Sequence, residues 1–316
     1  MRSRLVMVLA VAAAVLGVAV LVPATYVRLS GRTGAGGGGG GSPAAVRTTP
    51  TPPPTLTARP VSVSFEGSFF SWALLERKTG KLSGAKNMTA TNSTESMLKV
   101  WIVADYLRRL GEKQPSPERL TQARVAIVDS DDDAANALWN AGGRSAVLNR
   151  LIRICGLTET APGTVPGYRG WWSFTTMSPR DAVRMGDCVA SGRAAGPRWT
   201  QWLLDTMSEV RGSIDEQWER SGGGRWGIID GLPDSILDQG PVSIKNGWTR
   251  LNYDGNWHVN CLALTKDWVL AAMMRYPGTH GLSYGARTCA RVASQLVTPA
   301  PDASPSVPEP SSAAES

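Results

Sequence analysis

Asn92-Ser93-Thr94-Glu95-Ser96-Met97-Leu98-Lys99-Val100-Trp101-Ile102-Val103-Ala104 is the stretch on which the reading of this chain turns. Its first four residues look like a helix start, and a helix is predicted over residues 96–110. Residues i and i+3 share a helix face, so the Ser96 hydroxyl and the Lys99 amine can meet. With Met97, Leu98 and the run 100–104, this helix is apolar on nearly all sides, which predicts burial. A lysine there is costly unless it is paired or used. A buried lysine near another cation has a lowered pKa and can take a serine proton at neutral pH. The alternative is a lysine solvated at a helix edge. Ser-x-x-Lys alone recurs by chance, so the rest of the chain has to decide.

On the N-terminal side, residues 68–75 and 82–88 read as two strands joined by a turn at Thr79-Gly80. On the C-terminal side, helical patterns fall at 133–140, 145–155, 178–190 and 198–210. Strand patterns follow at 242–248, 258–264 and 268–276, and a last helix at about 285–296. This order is α+β: an antiparallel five-stranded sheet built from both ends of the domain, flanked by helices.

The folded part occupies residues 61–298. The 316 residues are enough to bury a full core, and all 12 tryptophans lie within this part. Residues 31–60 are mostly Gly, Ala, Thr and Pro, with an unbroken glycine run at 36–41, and read as a linker. Residues 299–316 read as a Pro/Ser-rich disordered tail. In residues 1–30, Arg2 and Arg4 precede an apolar run from Leu5 to Val22, the pattern of a signal peptide or a signal anchor in the cytoplasmic membrane. No cysteine follows the run, which argues against a lipoprotein anchor. Cleaved or not, the segment places the domain outside the cytoplasm, membrane-anchored or secreted. The four cysteines fit an exported chain with two disulfides, and three pairings are open. The Lys/Arg excess is mild, 33 against 26 Asp/Glu, and no long basic run points to nucleic acid. No cysteine or histidine spacing suggests zinc, and no cofactor is expected.

Two further motifs follow Ser96 and Lys99. Ser130-Asp131-Asp132 precedes Asp133-Ala134-Ala135-Asn136-Ala137-Leu138, and Lys245-Asn246-Gly247 leads into Trp248 on a strand. Ser-x-x-Lys, Ser-Asp-Asn and Lys-Thr-Gly in that order mark class A β-lactamases and penicillin-binding proteins. The chain resembles that superfamily over about residues 64–296. It looks most like a branch with a Lys-Asn-Gly-Trp strand among exported serine hydrolases of high-GC Gram-positive bacteria. The run Trp257-His258-Val259-Asn260-Cys261 also fits that branch. The resemblance implies an additional all-helical subdomain and an acyl-enzyme on a β-lactam or a peptidoglycan stem peptide. In it Ser96 is the nucleophile, Lys99 its base or proton relay, and Ser130 the proton donor to the leaving nitrogen. Lys245 supplies positive potential for a substrate carboxylate. Asp132, Asn246, Gly247 and Thr249 would contact substrate, with the N–H groups of Ser96 and Thr249 as oxyanion hole. Gly247 would let substrate lie against the strand.

Three departures from the family pattern matter. Asp132 stands where the family has Asn; ionised, it only accepts hydrogen bonds and can pair with Lys99 or Lys245, keeping that lysine charged. Asn246 replaces a hydroxyl residue, and its amide could still donate to a carboxylate. The segment 157–174 lacks the Glu-x-x-x-Asn pattern that serves deacylation; its only acid is Glu159, with Gly163 four residues on. An acyl group is therefore expected to leave slowly.

Other patterns fail. Asp129, Asp131 and Asp133 do not complete an EF-hand, since Ala134 and Asn140 stand at its sixth and twelfth positions. Gly281-Leu282-Ser283-Tyr284-Gly285 has the form Gly-x-Ser-x-Gly, but His258 and His280 both precede it, against the chain order such a triad needs. The tryptophans read mainly as packing anchors, with Trp171, Trp172 and Trp248 as candidates for a substrate platform. Against this fold the expected disulfides are Cys155–Cys188 and Cys261–Cys289. Two function classes stay open: a serine acyl-enzyme with slow deacylation, or a wall-binding scaffold whose chemistry is impaired by Asp132.

Overall fold

A computed structural model describes residues 55–56, 60–219 and 222–298. The segment read as signal or anchor and the tail at 299–316 lie outside the described residues, as does most of the linker. Among the described residues, no helix is long and apolar enough to cross a membrane.

Short pairings frame the domain: β1 (Thr55–Leu56) with β10 (Val297–Thr298), and β4 (Asn92–Ser93) with β5 (Thr176–Met177). Thr55–Leu56 thus makes an ordered contact inside the segment read as linker. The main sheet holds β2 (Phe69–Glu76), β3 (Leu82–Gly84), β6 (Ser243–Ile244), β7 (Gly247–Arg250), β8 (Asn256–Leu264) and β9 (Trp268–Pro277). Its order is β3-β2-β9-β8-β6, with β7 also on β8, and every pairing is antiparallel. β6 and β7 are two halves of one strand line. They keep a single register against β8, from Ser243↔Leu264 to Arg250↔Trp257. The Lys245 N–H donates to the Leu262 carbonyl across the break at 3.0 Å. The sheet is thus five strand lines, with the last interrupted at Lys245-Asn246.

The helices are α1 (Lys99–Leu110), α2 (Pro117–Val128), α3 (Asp132–Ala141), α4 (Ser145–Cys155), α5 (Pro179–Ala190), α6 (Pro197–Ser208), α7 (Ile214–Glu219), α8 (Asp234–Leu237) and α9 (Gly281–Leu296). Strand alternation sorts them onto two faces. Leu262, Leu264 and Val269 point to α5, where a Cβ on Gly186 would meet the Val269 side chain at 2.6 Å. Val259 and Tyr276 point the other way, to α9 around Gly285. The α5 side continues into the helical subdomain around α1, which is buried from Lys99 to Leu107. The order is helix, sheet, helices, with the α1 core between the sheet and α2–α4.

α2 was not expected from the sequence. Its start is a Ser116 cap whose hydroxyl accepts from the Arg119 N–H at 3.2 Å, followed by Pro117 at the first helical position. Its buried residues, Ala123, Ala126, Ile127 and Val128, fall in its C-terminal half, so the amphipathic period over the whole helix is weak.

Both expected disulfides form. Cys155–Cys188 ties the end of α4 to α5, and Cys261–Cys289 ties β8 to α9. The first closes a loop with a sequence separation of 33. Replacing both Cys155 and Cys188 by Ala should lower the unfolding free energy by about 3 kcal/mol in a denaturant titration. A double variant as stable as the parent would show that the helical subdomain does not depend on this tie.

Candidate active site

Ser96 sits on a 3₁₀ turn, Glu95–Leu98, that runs directly into α1. Two observations explain why the turn sits here. The buried Asn260 on β8 donates to the carbonyls of Ser93 and Thr94 at 2.9 and 3.2 Å. Asn92 in turn donates to Asn260 Oδ1 at 3.2 Å and to the Met274 carbonyl at 3.1 Å. The sheet therefore grips the backbone just ahead of the nucleophile. Glu95 adopts φ +48° and Ser130 φ +55°. Both are non-glycine residues in the left-handed region, a strain that surrounding structure must hold in place.

Lys99, Ser130, Asp132 and Lys245 converge beside Ser96. The Lys99 ammonium donates to the Ser130 carbonyl, to Ser130 Oγ at 3.1 Å, and pairs with Asp132 Oδ1 at 2.6 Å. Lys245 Nζ donates to the same Ser130 Oγ at 2.9 Å. Neither lysine has solvent exposure. Trp172 and Trp248 close over them, with Lys99 Nζ 5.2 Å and Lys245 Nζ 5.9 Å from the ring centroids. Burial lowers the Lys99 pKa, with Asp132 working against it. Burial lowers Lys245 further, the charge of Lys99 adds to the effect, and Asp132 offsets part of it. Asp132 has paired with Lys99, one of the two partners expected for it. Three Lys99 bonds are thereby committed to Ser130 and Asp132, and among the described residues none goes to Ser96 Oγ.

The third motif differs in detail from the reading of the sequence. Both side-chain N–H groups of Asn246 are spent on the carbonyls of Gly224 and Trp226, at 2.8 and 2.7 Å. Asn246 is buried and pins that loop; it offers no donor to the cleft. Gly247 is needed for a close approach, but of protein rather than substrate. A Cβ there would meet the Thr94 carbonyl at 2.5 Å, Met97 N at 2.6 Å and Ser96 N at 2.9 Å. Thr249 lines the cleft, yet its N–H is turned inward. Lys245 and Leu251 both donate their N–H to β8 in one unbroken register, so the odd-numbered residues of this strand line face β8. Thr249 pairs with His258, and the N–H that points outward beside Ser96 is that of Trp248. The N–H turned to the cleft is thus one residue earlier than the Thr249 N–H expected from the sequence.

The cleft has a volume of about 760 Å³ and is lined by Ser96, Glu95, Asp132, Thr249, Trp171 and Trp172 among others. Trp171 is 59% exposed at its rim, whereas the Trp172 indole N–H donates to Asn136 at 2.8 Å. Glu159 lies outside the lining. It bonds Arg180 and Ser178, and the Arg180 guanidinium is the main cause holding its carboxyl at about 2. Asp181 fixes the start of this loop by accepting from the N–H groups of Thr158 and Glu159 and the hydroxyl of Thr160. A Cβ on Gly163 would meet the Phe174 carbonyl at 2.1 Å, so the loop closes on itself where the Glu-x-x-x-Asn pattern would require a side chain.

Reading the sequence missed a buried chain next to Ser96. Glu95 Oε1 and Ser93 Oγ are 2.7 Å apart, Ser93 Oγ and His258 Nδ1 2.6 Å, and His258 Nε2 and Asp254 Oδ2 2.9 Å. Burial raises Glu95 to about 7, against the Ser93 and Thr249 hydroxyls that lower it. Burial lowers His258, so its ring is neutral at pH 7, and Asp254 partly restores it. One signal was available: His258 and Asn260 are polar residues on the same face of an otherwise apolar central strand.

Residues 119–212 match the model of the β-lactamase enzyme family, a segment that contains Ser130–Asp132 and stops short of Ser96 and Lys245. Proteins named as the lipoprotein LppW in Mycobacterium tuberculosis and Mycobacterium bovis are 31% identical over 186 residues, 58% of this chain. The chain spans about half, 54%, of their length. Among solved structures, a β-lactamase from Burkholderia vietnamiensis aligns with TM-score 0.55 at 15% identity, over 72% of this chain and 90% of that one. A class A β-lactamase from Mycobacterium abscessus aligns with TM-score 0.52 at 16% identity, over 73% and 92%. The penicillin-binding protein PBP-A aligns with TM-score 0.54 at 16% identity, over 74% and 91%. The chain resembles the class A β-lactamase and penicillin-binding-protein superfamily in its fold as well as in the order of its motifs.

Gly247 couples the sheet to the nucleophile turn, so Gly247→Ala should be costly. Thermal unfolding is expected to report a loss of about 1–3 kcal/mol, because the intruded atoms are backbone and cannot move aside alone. An unchanged melting temperature would mean that the turn is free to shift away from β7.

Proposed function

We propose that this chain is a serine acyl-enzyme of β-lactamase or DD-peptidase type, acylated at Ser96 by β-lactams or peptidoglycan stem-peptide analogues and slow to release the acyl group. The observation that carries this reading is the single Ser130 hydroxyl shared by two buried lysines beside Ser96. Two ammonium groups on one oxygen repel by about 3 kcal/mol at an effective dielectric of about 20, so one of them tends to give up its proton. Ser130 can accept from one lysine and donate to the other. At rest the remaining proton sits on Lys99, held by Asp132. Its passage through Ser130 to Lys245, drawn by the substrate carboxylate, leaves Lys99 as a free amine and Lys245 as the cation.

In that state Lys99 accepts the Ser96 proton as Oγ attacks the carbonyl carbon. The N–H groups of Ser96 and Trp248 bind the oxyanion. When the C–N bond breaks, the leaving nitrogen takes the Ser130 proton, and Lys245 reprotonates Ser130, which leaves Lys99 as the ammonium. Lys245 attracts the substrate carboxylate. Release is slow because Glu159 is held by Arg180 away from the cleft and has too low a pKa to serve as a base.

Extracytoplasmic placement belongs to the same proposal. It is supported by the two disulfides, the Arg-flanked apolar run at the N-terminus and the lipoprotein name of the relatives. The ion pair of Lys99 with Asp132 favours the competing reading, a scaffold in which the base is permanently charged. Intact-mass measurement after incubation with penicillin G separates the two. The wild type should gain one persistent adduct, and Ser96→Ala none. No adduct at millimolar penicillin would favour the scaffold, and rapid turnover without accumulation would overturn slow release.

A further inference from the structure

Two carboxyl groups line the cleft: Asp132 is paired with Lys99, and Glu95 has no part in the steps above. Glu95 precedes the nucleophile, lines the same cleft, and is 2% exposed. Its partners form an ordered series from the cleft to the edge of the sheet: Glu95, Ser93, His258, Asp254. The donors and acceptors along it allow two arrangements. With His258 neutral and its Nε2–H given to Asp254, Nδ1 accepts the Ser93 hydroxyl, and Ser93 Oγ can only accept from a protonated Glu95. With His258 protonated, Nδ1–H donates to Ser93, and Ser93 donates to an ionised Glu95. The two differ by one proton passed along two short bonds. Asp254 stabilises the second by sitting against the imidazolium, and its own side chain is 20% exposed, so protons can leave there.

We propose that Glu95 is the general base that hydrolyses the Ser96 acyl-enzyme, and that Ser93 and His258 carry its proton out toward Asp254. The inference rests on acylation of Ser96 as set out above. Water is the co-reactant. The Glu95 carboxylate takes a proton from water as the water oxygen bonds to the ester carbonyl carbon, and the C=O pair moves onto the oxyanion. As the oxyanion collapses, the C–Oγ bond breaks and Ser96 Oγ takes a proton from the Lys99 ammonium. The carboxylic acid product returns one proton to Lys99. The one proton of net hydrolysis leaves Glu95 through Ser93 and His258. No residue of the 157–174 loop takes part, which agrees with the position of Glu159 outside the cleft.

The charges around Glu95 set the direction of the pH dependence. Asp132 and Asp254 oppose its ionisation, and burial is the larger effect on the same side. Lys99 stands on α1 behind Ser96, Lys245 lies just ahead of β7, and Arg250 on β7 lines the cleft. Arg275 on β9 opposes protonation of His258, and Tyr253 lies 6.1 Å from its ring. Because the Glu95 pKa is raised to about 7, the active ionised form is scarce in acid and fills in as pH rises through 7.

The test uses the full chain acylated by penicillin G, with excess drug removed, and follows loss of the adduct by intact mass from about pH 5.5 to about 8.5. For the wild type, the rate should climb about tenfold per pH unit below the midpoint and level off above it. Glu95→Gln should still form the adduct at Ser96, lose it at least about tenfold more slowly above pH 7, and show no pH step. Ser93→Ala removes the donor to ionised Glu95 and should move the midpoint upward. A Glu95→Gln adduct that decays with the wild-type rate and profile overturns the proposal while leaving acylation of Ser96 intact. A wild type that forms no adduct overturns both. Should Glu95→Gln fail to fold or acylate, Ser93→Ala decides: a raised midpoint supports the relay, and an unmoved one refutes it.

Discussion

One hydroxyl group organises this domain. Ser130 Oγ receives two buried lysines, and a single, largely exposed carboxylate, Asp132, supplies the only anion paired with either of them among the described residues. Burying two ammonium groups without two anions is expensive, at several kcal/mol for each ion. Indole faces cover both, and in the proposed mechanism one mobile proton shared between them reduces that cost. The strained φ of Ser130 is what presents both its hydroxyl and its carbonyl to Lys99. The same feature makes a helix residue, a loop residue and a strand residue into one unit.

The sheet enforces this meeting. Lys245, Gly247 and Thr249 lie on one face of their strand line, opposite Leu262, Asn260 and His258. That face is turned to the nucleophile turn, so the strand brings its lysine, its close approach and its cleft residue to Ser96 in one register. Asn260 then holds the backbone of Ser93 and Thr94. A slip of one residue would turn every one of these groups to the α9 side.

Much of this was legible in the sequence because it is local. Ser96 and Lys99 share a helical turn, and the apolar run around them announces burial. The strands at both ends of the domain follow from patterning and element order, whereas the choice among three disulfide pairings was open until the resemblance supplied a fold. What could not be read depends on contacts between distant segments. Asn246 looked free to bind substrate until the carbonyls of Gly224 and Trp226 were seen to take both its donors. That the outward N–H belongs to Trp248 rather than Thr249 is not legible in the sequence, because which N–H points outward is fixed only by pairing with β8. Glu95 read as part of a helix start, and nothing nearby in sequence shows that His258, on a strand more than 150 residues later, would meet Ser93. α2 carries little periodic signal because its buried residues fall in its C-terminal half.

The central claim is that Lys99 and Lys245 share one mobile proton through Ser130, with Asp132 as counter-ion. It is tested most directly by following the side-chain resonances of both lysines by NMR across the range from about pH 5 to about 11, in the wild type and in Asp132→Asn. Both lysines should titrate below the ordinary value of 10.5, with Lys245 the lower, and loss of the Asp132 charge should lower both further. Two lysines that stay protonated through the whole range, unmoved by Asp132→Asn, would contradict it.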